Sequence, residues 1–264
     1  MPKSSFDPDA QAFITAAAIT DATQQNAINT LVLALKGYSI WTKFKAIYPI
    51  VGGTASSHKY NLKDPRDLDA AFRLTFTTGW THSANGMLPN GTSAFADTFF
   101  TPSSNLSVNN TSMSIYVNNN IAPILAAPTF GCYFDGTKTF YTTLKQSNTF
   151  YSFIGSENGS ATFGNSFSNT DSSGFYITSR TSSTVLKSYK NNLLKNTTIL
   201  ANTGTLPALK YTYGAFRNSA GIAATTYNNY AHAFMSLGDG LTDTDSANLY
   251  TAVQAYQTAL NRNV

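Results

Sequence analysis

The spacing of the apolar residues changes once along this chain, near residue 59, and that change limits the folds open to it. Before it, apolar side chains recur every three or four positions, the spacing of one helical face. They are Ile28, Leu31, Val32 and Leu35. After it, the period is two, as in a strand. The pattern predicts a helical region over residues 1–58 and a β domain over residues 59–264.

Short alternating segments fill the second region. Met113, Ile115 and Val117 alternate with other side chains, and residues 72–76 and 211–215 are two further candidate strands. Turn dipeptides such as Asn85-Gly86 separate such segments. Many short strands joined by such turns are typical of a sandwich or barrel, and no repeat of fixed period indicates a propeller or solenoid.

A helix is predicted again at the end of the chain, over residues 242–261. Thr242 is its expected N-cap, and Asp243 and Asp245 lie in the first turn, where the helix dipole favours negative charge. One apolar face is expected to pack on the sandwich. It comprises Leu249, Val253, Tyr256 and Leu260.

The composition excludes several classes of protein. Charged residues make up 11% of the chain, whereas 36 Thr, 27 Ser and 25 Asn form a third of it, and aromatic residues at 13% argue against a disordered polar chain. The net charge of +4 is spread along the sequence, so no nucleic-acid partner is expected. No apolar run reaches the ~18 residues of a membrane span, and no signal peptide is evident.

The one cysteine, Cys132, excludes an internal disulfide framework and a multi-cysteine metal site. It lies in an apolar segment, residues 128–134, where a small buried hydrophobic side chain is favoured over a catalytic thiol. No cofactor and no metal are predicted.

Residues 185–194 resemble the strand–turn–strand of laminin-G-type, concanavalin-A-like jelly rolls. The segments 211–216 and 230–238 and the helix after them fit the same pattern, so the resemblance covers residues 60–264. It implies a mainly β fold, an antiparallel jelly-roll β-sandwich with a helical N-terminal region and a C-terminal helix.

Three further segments, residues 48–55, 61–69 and 242–250, resemble structural proteins of phages that infect Bacteroidetes. The resemblance implies a protein assembled in the host cytoplasm and carried on the particle surface. Its partners would be other virion proteins and further copies of itself. A fibre or decoration subunit, in the head or the tail, is expected, and these segments do not distinguish among the possibilities.

The helical region is the expected docking element of such a subunit. Its candidate contact residues are Leu31, Val32, Leu35 and Trp41. The sequence leaves two interpretations open, since these side chains could form the core of the chain or a seam between subunits.

Whether the chain is an enzyme can be judged from its acidic residues, because jelly rolls of this kind include glucanases with a Glu-x-Asp-x-x-Glu motif. The chain has a single glutamate, Glu157, in an expected turn, so that motif is absent. Asp64, Asp67 and Asp69 form the closest acidic trio. They are expected in a turn that includes an ion pair to Arg66, in preference to a metal or catalytic site.

Nucleophilic catalysis and calcium binding have equally weak signals. The histidines are His58, His82 and His232, no Gly-x-Ser-x-Gly elbow is present, and His232 is expected in a strand with its ring hydrogen-bonded. Residues 239–245 are rich in Asp but lack the order of a calcium loop, so helix capping is favoured there.

Carbohydrate binding needs an aromatic ring for a sugar face and polar groups for its hydroxyls. Residues 79–91 offer these types in an expected loop, and Trp80 has the alternative of a core position. The candidate ligands are Trp80, His82, Asn85 and Asn90. The leading prediction is a non-enzymatic virion protein, the next a module binding host glycans, and the third a glycan-cleaving enzyme.

Overall fold

A computed structural model describes residues 6–122, 130–135, 138–155, 164–222 and 226–264. Glu157 lies outside these ranges. The helices of the described part are α1 (Pro8–Ala16), α2 (Ala22–Gly37), α3 (Ala55–His58), α4 (Pro102–Asn105) and α5 (Asp243–Ala259). Single 3-10 turns occupy Trp41–Lys43 and Asp69–Ala71. None of the helices in these ranges is long and apolar enough to cross a membrane.

The strands of the described part run from residue 44 to residue 238. They are β1 (Phe44–Tyr48), β2 (Thr75–Phe76), β3 (Trp80–Ser83), β4 (Gly86–Pro89), β5 (Ala96–Asp97), β6 (Thr111–Val117), β7 (Phe130–Asp135), β8 (Lys138–Gln146), β9 (Thr149–Ile154), β10 (Asn165–Ser168), β11 (Gly174–Ser182), β12 (Val185–Lys190), β13 (Leu193–Thr198), β14 (Thr212–Tyr213), β15 (Phe216–Asn218), β16 (Gly221–Ile222) and β17 (His232–Gly238).

These strands form a large sheet, a second sheet and a small one. The large sheet has the order β13-β12-β11-β6-β17-β4-β3, with β1 added beside β17. The second sheet has the order β10-β9-β8-β7-β15-β16, and the small sheet is β14-β5-β2. Adjacent strands are antiparallel apart from β15 and β7, which are parallel.

Two apolar cores lie on the two faces of the large sheet. Met113 and Ile115 point into the core shared with Phe140 and Phe150 of the second sheet. Tyr116, next to Ile115 in sequence, points into the core beneath α1, α2 and α5. The predicted mainly β antiparallel sandwich, with a helical N-terminal region and a C-terminal helix, is confirmed.

The boundary predicted at residue 58 does not divide the chain into two packing units. β1 pairs with β17 from Phe44↔Gly238 to Tyr48↔Met235, and α2 packs against α5. Because β1 belongs to the sheet that the later strands build, the N-terminal helices share their core with the sandwich.

The candidate docking residues of α2 are core residues. Leu31, Val32 and Leu35 are 1%, 0% and 0% exposed. Since the chain itself covers them, they are unavailable as a subunit seam, and the core interpretation replaces the docking one. Trp41 is half-buried, and the Nζ of Lys63 lies 3.7 Å from its ring centroid, so this ring also has a partner within the chain.

Helix α5 begins and ends close to the predicted bounds. The Thr242 hydroxyl accepts from the Asp245 N–H at 3.2 Å, and the Asp245 carboxylate accepts from the Thr242 N–H at 2.9 Å. Asp243 forms an ion pair with Lys187 at 2.6 Å. The capping interpretation of this Asp-rich segment is therefore confirmed.

Two predicted strands are interrupted by left-handed backbone. Phe72 has φ of 60°, so the strand expected over residues 72–76 shortens to β2. Gly214 has φ of 82° and separates β14 from β15 within the segment expected to be continuous over residues 211–215. Backbone in the left-handed region turns the chain out of the extended conformation, and the side-chain period does not reveal it.

Candidate functional site

The segment proposed as a glycan loop is a hairpin at the edge of the large sheet. β3 and β4 pair with Trp80 opposite Pro89 and His82 opposite Met87. Because side chains alternate along a strand, Trp80 and His82 point to the same face. The hairpin therefore brings these two of the four predicted ligands together.

The other two lie at opposite ends of the hairpin. Asn85 is at the turn, whereas Asn90 follows Pro89 at the far end, roughly 15 Å away at ~3.3 Å per residue. The Oδ1 of Asn90 is already occupied, since it accepts from the N–H groups of Thr92, Ser93 and Ala94 at 3.0, 3.0 and 3.1 Å. Asn90 follows Pro89, the pairing partner of Trp80, whereas Asn85 lies at the other end of the hairpin, so the four residues do not surround one sugar ring. Glycan binding by these residues stays a prediction.

Trp80 is largely a core residue. Its ring lies 5.5 Å from that of Phe76 and 5.8 Å from that of His232. A Cβ placed on Gly214 would lie 2.7 Å from the indole Cζ2, so the backbone there closes over the ring. Trp80 is half-buried, and its main contacts are internal, which supports the alternative of a core position.

His82 makes a hydrogen bond to a second histidine that the sequence does not connect with it. The Nδ1 atoms of His58 and His82 are 2.9 Å apart, and the His58 Nε2 accepts from the Gly53 N–H at 3.2 Å. This acceptor role places the His58 proton on Nδ1, which donates to His82 and leaves the His82 proton on Nε2. Burial, then the nearby His82 and Arg262, lowers the pKa of His58 to about 3.

His232 lies in β17 as predicted, but its ring is not hydrogen-bonded within the described residues. It is 0% exposed, and both ring nitrogens lack a hydrogen-bond partner there. The rings of Phe130 and Tyr213 lie 6.2 and 6.1 Å away. Burial lowers its pKa to about 3, so it is a neutral part of an aromatic core.

The rings of His58, Phe76, Trp80, His82 and His232 form an aromatic and histidine cluster. A groove with a volume of about 350 Å³ opens beside this cluster. Two separate segments line it, residues 55–59 through α3 and residues 73–76 through β2. The lining residues are Ala55, Ser56, Lys59, Arg73, Leu74, Thr75 and Phe76. Phe76 joins the groove to the cluster, because its ring also lies 4.7 Å from His82.

The two cations of the groove are held by neighbouring acids. Asp67 accepts from Lys59 at 2.5 Å and from Arg73 at 2.8 Å, and Asp69 accepts from Arg73 at 2.9 Å. The hydrogen bonds from Lys59 and Arg73 lower the pKa of Asp67. This network fixes the positions of Lys59 and Arg73 at the rim while both stay partly exposed.

The third carboxylate of the predicted acidic turn, that of Asp64, is paired within the turn. Asp64 accepts from the Arg66 Nε at 2.7 Å, and this hydrogen bond lowers the pKa of the carboxyl group. The ion pair expected between Asp64 and Arg66 is thus confirmed. Within the described ranges, no group of three or more His, Cys, Asp or Glu side chains is placed to hold a metal ion.

Cys132 is 0% exposed in the core between the sheets, as predicted for a small hydrophobic side chain. Burial raises the pKa of its thiol far above the usual range. A thiol that stays protonated is a poor nucleophile, so Cys132 has a packing role.

The groove brings together groups that suit a polyhydroxylated ligand. The half-buried Phe76 supplies an apolar surface for the C–H face of a sugar ring, and Ser56, Lys59 and Thr75 add polar groups at the rim. Leu74, also along the groove, is 2% exposed and belongs to the core. Sequence reasoning missed these residues because the two segments share no motif. The alternation that ends at Phe76 was the one signal near them.

No protein-family model and no curated protein matches the sequence. Solved structures match it in fold. The chain is similar to a mutant of Trypanosoma rangeli sialidase displaying trans-sialidase activity, with a TM-score of 0.53 and 10% identity over 88% of this chain and 39% of that one.

Two toxin domains give similar values. The botulinum neurotoxin serotype D binding domain has a TM-score of 0.50 and 10% identity over 81% of this chain and 52% of that one. The binding domain of botulinum neurotoxin DC, solved in complex with rat synaptotagmin II, has 0.52 and 10% over 81% and 53%. The chain thus spans about half or less of the length of these proteins, and at this identity the likeness shows the sandwich fold alone.

Proposed function

We propose that this protein is a non-enzymatic glycan-binding module and that the groove of residues 55–59 and 73–76 holds the sugar. The observation that carries the proposal is the half-buried Phe76 ring, which lies in the groove beside Lys59 and Arg73. A sugar ring stacks on such an aromatic side chain while its hydroxyls bond to the polar rim. Each cation is already oriented by Asp67, so little side-chain entropy is lost when the ligand binds.

The similar structures support a binding role. Two of them are binding domains, and the third is a sialidase. The shared sandwich carries no residue-level argument, so the case for a glycan ligand rests on the groove itself.

We propose that the protein is not an enzyme because of the protonation state of the acidic residues near the groove. A glycosidase needs one carboxyl group that keeps its proton near neutral pH. The hydrogen bonds from Arg66 and Lys59 lower the pKa values of Asp64 and Asp67, so both are ionised there. Release of reducing ends from capsule polysaccharides by the purified protein would overturn this part of the proposal.

A glycan array followed by titration of the bound glycans tests the binding role. We expect Phe76→Ala to weaken binding about 5-fold, because stacking on an aromatic ring contributes on the order of 1 kcal/mol. Tyr38→Ala, which removes a 39% exposed ring at the end of α2, should bind like the wild type. An array with no bound glycan, or equal affinity for Phe76→Ala and the wild type, would contradict the proposal.

We further propose the surface of a phage particle as the setting of this module, on the resemblance of residues 48–55, 61–69 and 242–250 to phage structural proteins. Other virion proteins would then be its partners, and the groove would face the host. Mass spectrometry of purified particles should detect the protein, and particles that lack it would refute this setting.

A further inference from the structure

Strand β13 is an edge of the large sheet with an exposed apolar surface. Within the described ranges it pairs with β12 alone. Leu193 and Leu194 are 64% and 50% exposed, and Ile199 and Leu200 directly after the strand are 74% and 42% exposed. An open edge with exposed aliphatic side chains is a place where another strand adds to the sheet.

A bulge at Lys195 sets which side chains share a face. Leu194 pairs with Tyr189 and Asn196 with Ser188, so Lys195 is the extra residue. Leu194 therefore shares a face with Thr197, the partner of Lys187. β13 ends at Thr198, and Ile199 joins this face where a partner strand extends the pairing beyond it. The Lys195 Nζ lies 5.7 Å from the ring centroid of Phe167, so this ammonium group contacts the second sheet.

We propose that β13 pairs antiparallel with β13 of a second copy about a two-fold axis at Thr197. Residues that pair across such an axis must point to the same side of the joined sheet. The bulge at Lys195 places the paired residues in this way. Thr197 then faces Thr197 of the second copy, and the other facing pairs are Asn196 with Thr198, Leu194 with Ile199, and Leu193 with Leu200.

This register is self-complementary, as a two-fold interface must be. The aliphatic side chains face one another at both ends, and the threonines face at the centre. The bulge leaves both copies of Lys195 out of the pairing, so no like charges face across it. An unrelated partner would not require these matched ends, and the matching is why we assign the surface to a second copy.

The pairing leaves the candidate groove open. The groove lies near β3, and β3 and β13 are opposite edges of the large sheet. A dimer would thus carry two separated grooves, which raises the avidity for a repeating ligand without any new contact. The pairing itself does not depend on the proposed glycan function.

Light scattering of the full chain tests the pairing through a charge exchange. We expect a dimer for the wild type and a monomer for Leu194→Asp and for Ile199→Lys, since each buries a charge against an aliphatic side chain. The double variant L194D/I199K should recover the dimer at low salt. In it, the introduced carboxylate of each copy would face the introduced ammonium group of the other copy, which gives two attractive pairs.

Leu33→Asp is the matched control, since Leu33 on α2 is 51% exposed and should leave the dimer intact. A monomeric wild type, a dimer that survives Leu194→Asp, or a double variant that remains monomeric would each overturn the proposal. A monomeric wild type that sediments with anionic lipid vesicles would assign the surface to a membrane instead.

A cysteine at the axis gives a second readout that does not depend on the dissociation constant. Thr197→Cys should form a disulfide-linked dimer under mild oxidation, because the two copies of residue 197 face each other. Thr81→Cys on the exposed face of β3 should remain monomeric, and the native Cys132 is buried. Equal cross-linking of the two variants would contradict the register.

Discussion

Asparagine side chains replace backbone hydrogen-bonding groups throughout this protein. Asn61 is 1% exposed; its Oδ1 accepts from the Ile47 N–H at 2.9 Å, and its Nδ2 donates to the Ala71 carbonyl at 3.1 Å. Asn90 satisfies three N–H groups of its own loop in the same way. The abundance of Asn in the sequence therefore reflects, at these positions, the construction of loops.

Arg262 is a residue whose role the sequence understates. The sequence places it as a cation near a helix C-terminus, whereas the structure buries it to 5% exposure. Its guanidinium donates to the carbonyls of Ile50 at 2.7 Å, Pro49 at 2.9 Å and Ala233 at 2.9 Å. It thereby ties the end of the chain to β17 and to the segment after β1.

We predict that Arg262→Met lowers the free energy of unfolding by roughly 3 kcal/mol, because it leaves these buried carbonyls without a donor. Arg66→Met is the control, since Arg66 is 64% exposed and, among the described residues, pairs with Asp64 alone; it should leave the stability essentially unchanged. Urea denaturation measures both. Equal small effects would show that the Arg262 contacts contribute little.

His232 gives a prediction for acid stability. In the folded chain its pKa is about 3, whereas an unfolded histidine titrates near 6.5. The unfolded state therefore binds the proton first, and the stability present above pH 6.5 is lost as the pH falls toward 3. His58, with a pKa of about 3, adds a loss in the same direction.

We predict that His232→Phe retains the wild-type stability near pH 7.5 and resists acid better. Between pH 6.5 and 5 the variant should lose roughly 2 kcal/mol less than the wild type, because one of the three depressed histidine titrations is removed. Urea titrations at several pH values measure this difference. Parallel pH profiles for the two proteins would rule out a titrating His232.

At the scale of elements, the helical layer covers a face of the large sheet that alternation along the strands assigns to solvent. In β6 the residues between Met113 and Val117 include Ser114, which alternation assigns to a solvent face. The helices cover that face, and the Ser114 hydroxyl lies 2.6 Å from that of Ser236, so a polar side chain is satisfied inside the protein. The period predicts the strand correctly, but the cover over its second face depends on contacts between distant segments.

We predict that substitutions on α2 show how much the helical layer contributes to the stability of the chain. Leu31→Ala should lower the free energy of unfolding by about 3 kcal/mol, because it opens a cavity at a side chain that is 1% exposed. Leu33→Ala, two positions away and 51% exposed, should change it by less than about 0.5 kcal/mol. A folded and equally stable Leu31→Ala would show that this face of α2 contributes little to the stability of the chain.

At the scale of the whole molecule, local sequence signals predicted the type of fold but not the candidate site. The periods and turn dipeptides predict strands, and the Thr242 cap predicts where α5 begins, because these depend on near neighbours in sequence. The groove depends on residues 55–59 meeting residues 73–76, and the His58–His82 bond joins positions 24 apart. Such juxtapositions follow from the tertiary fold, which spacing in one sequence does not encode.

We expect a glycan to bind in the groove of residues 55–59 and 73–76. Backbone amide NMR of the labelled chain, titrated with a glycan found on the array, tests it most directly. We predict chemical-shift changes concentrated in these two segments, and no such changes for Phe76→Ala at the same glycan concentration. Shifts centred on the Asn85 turn or along β13, with the groove unchanged, would contradict it.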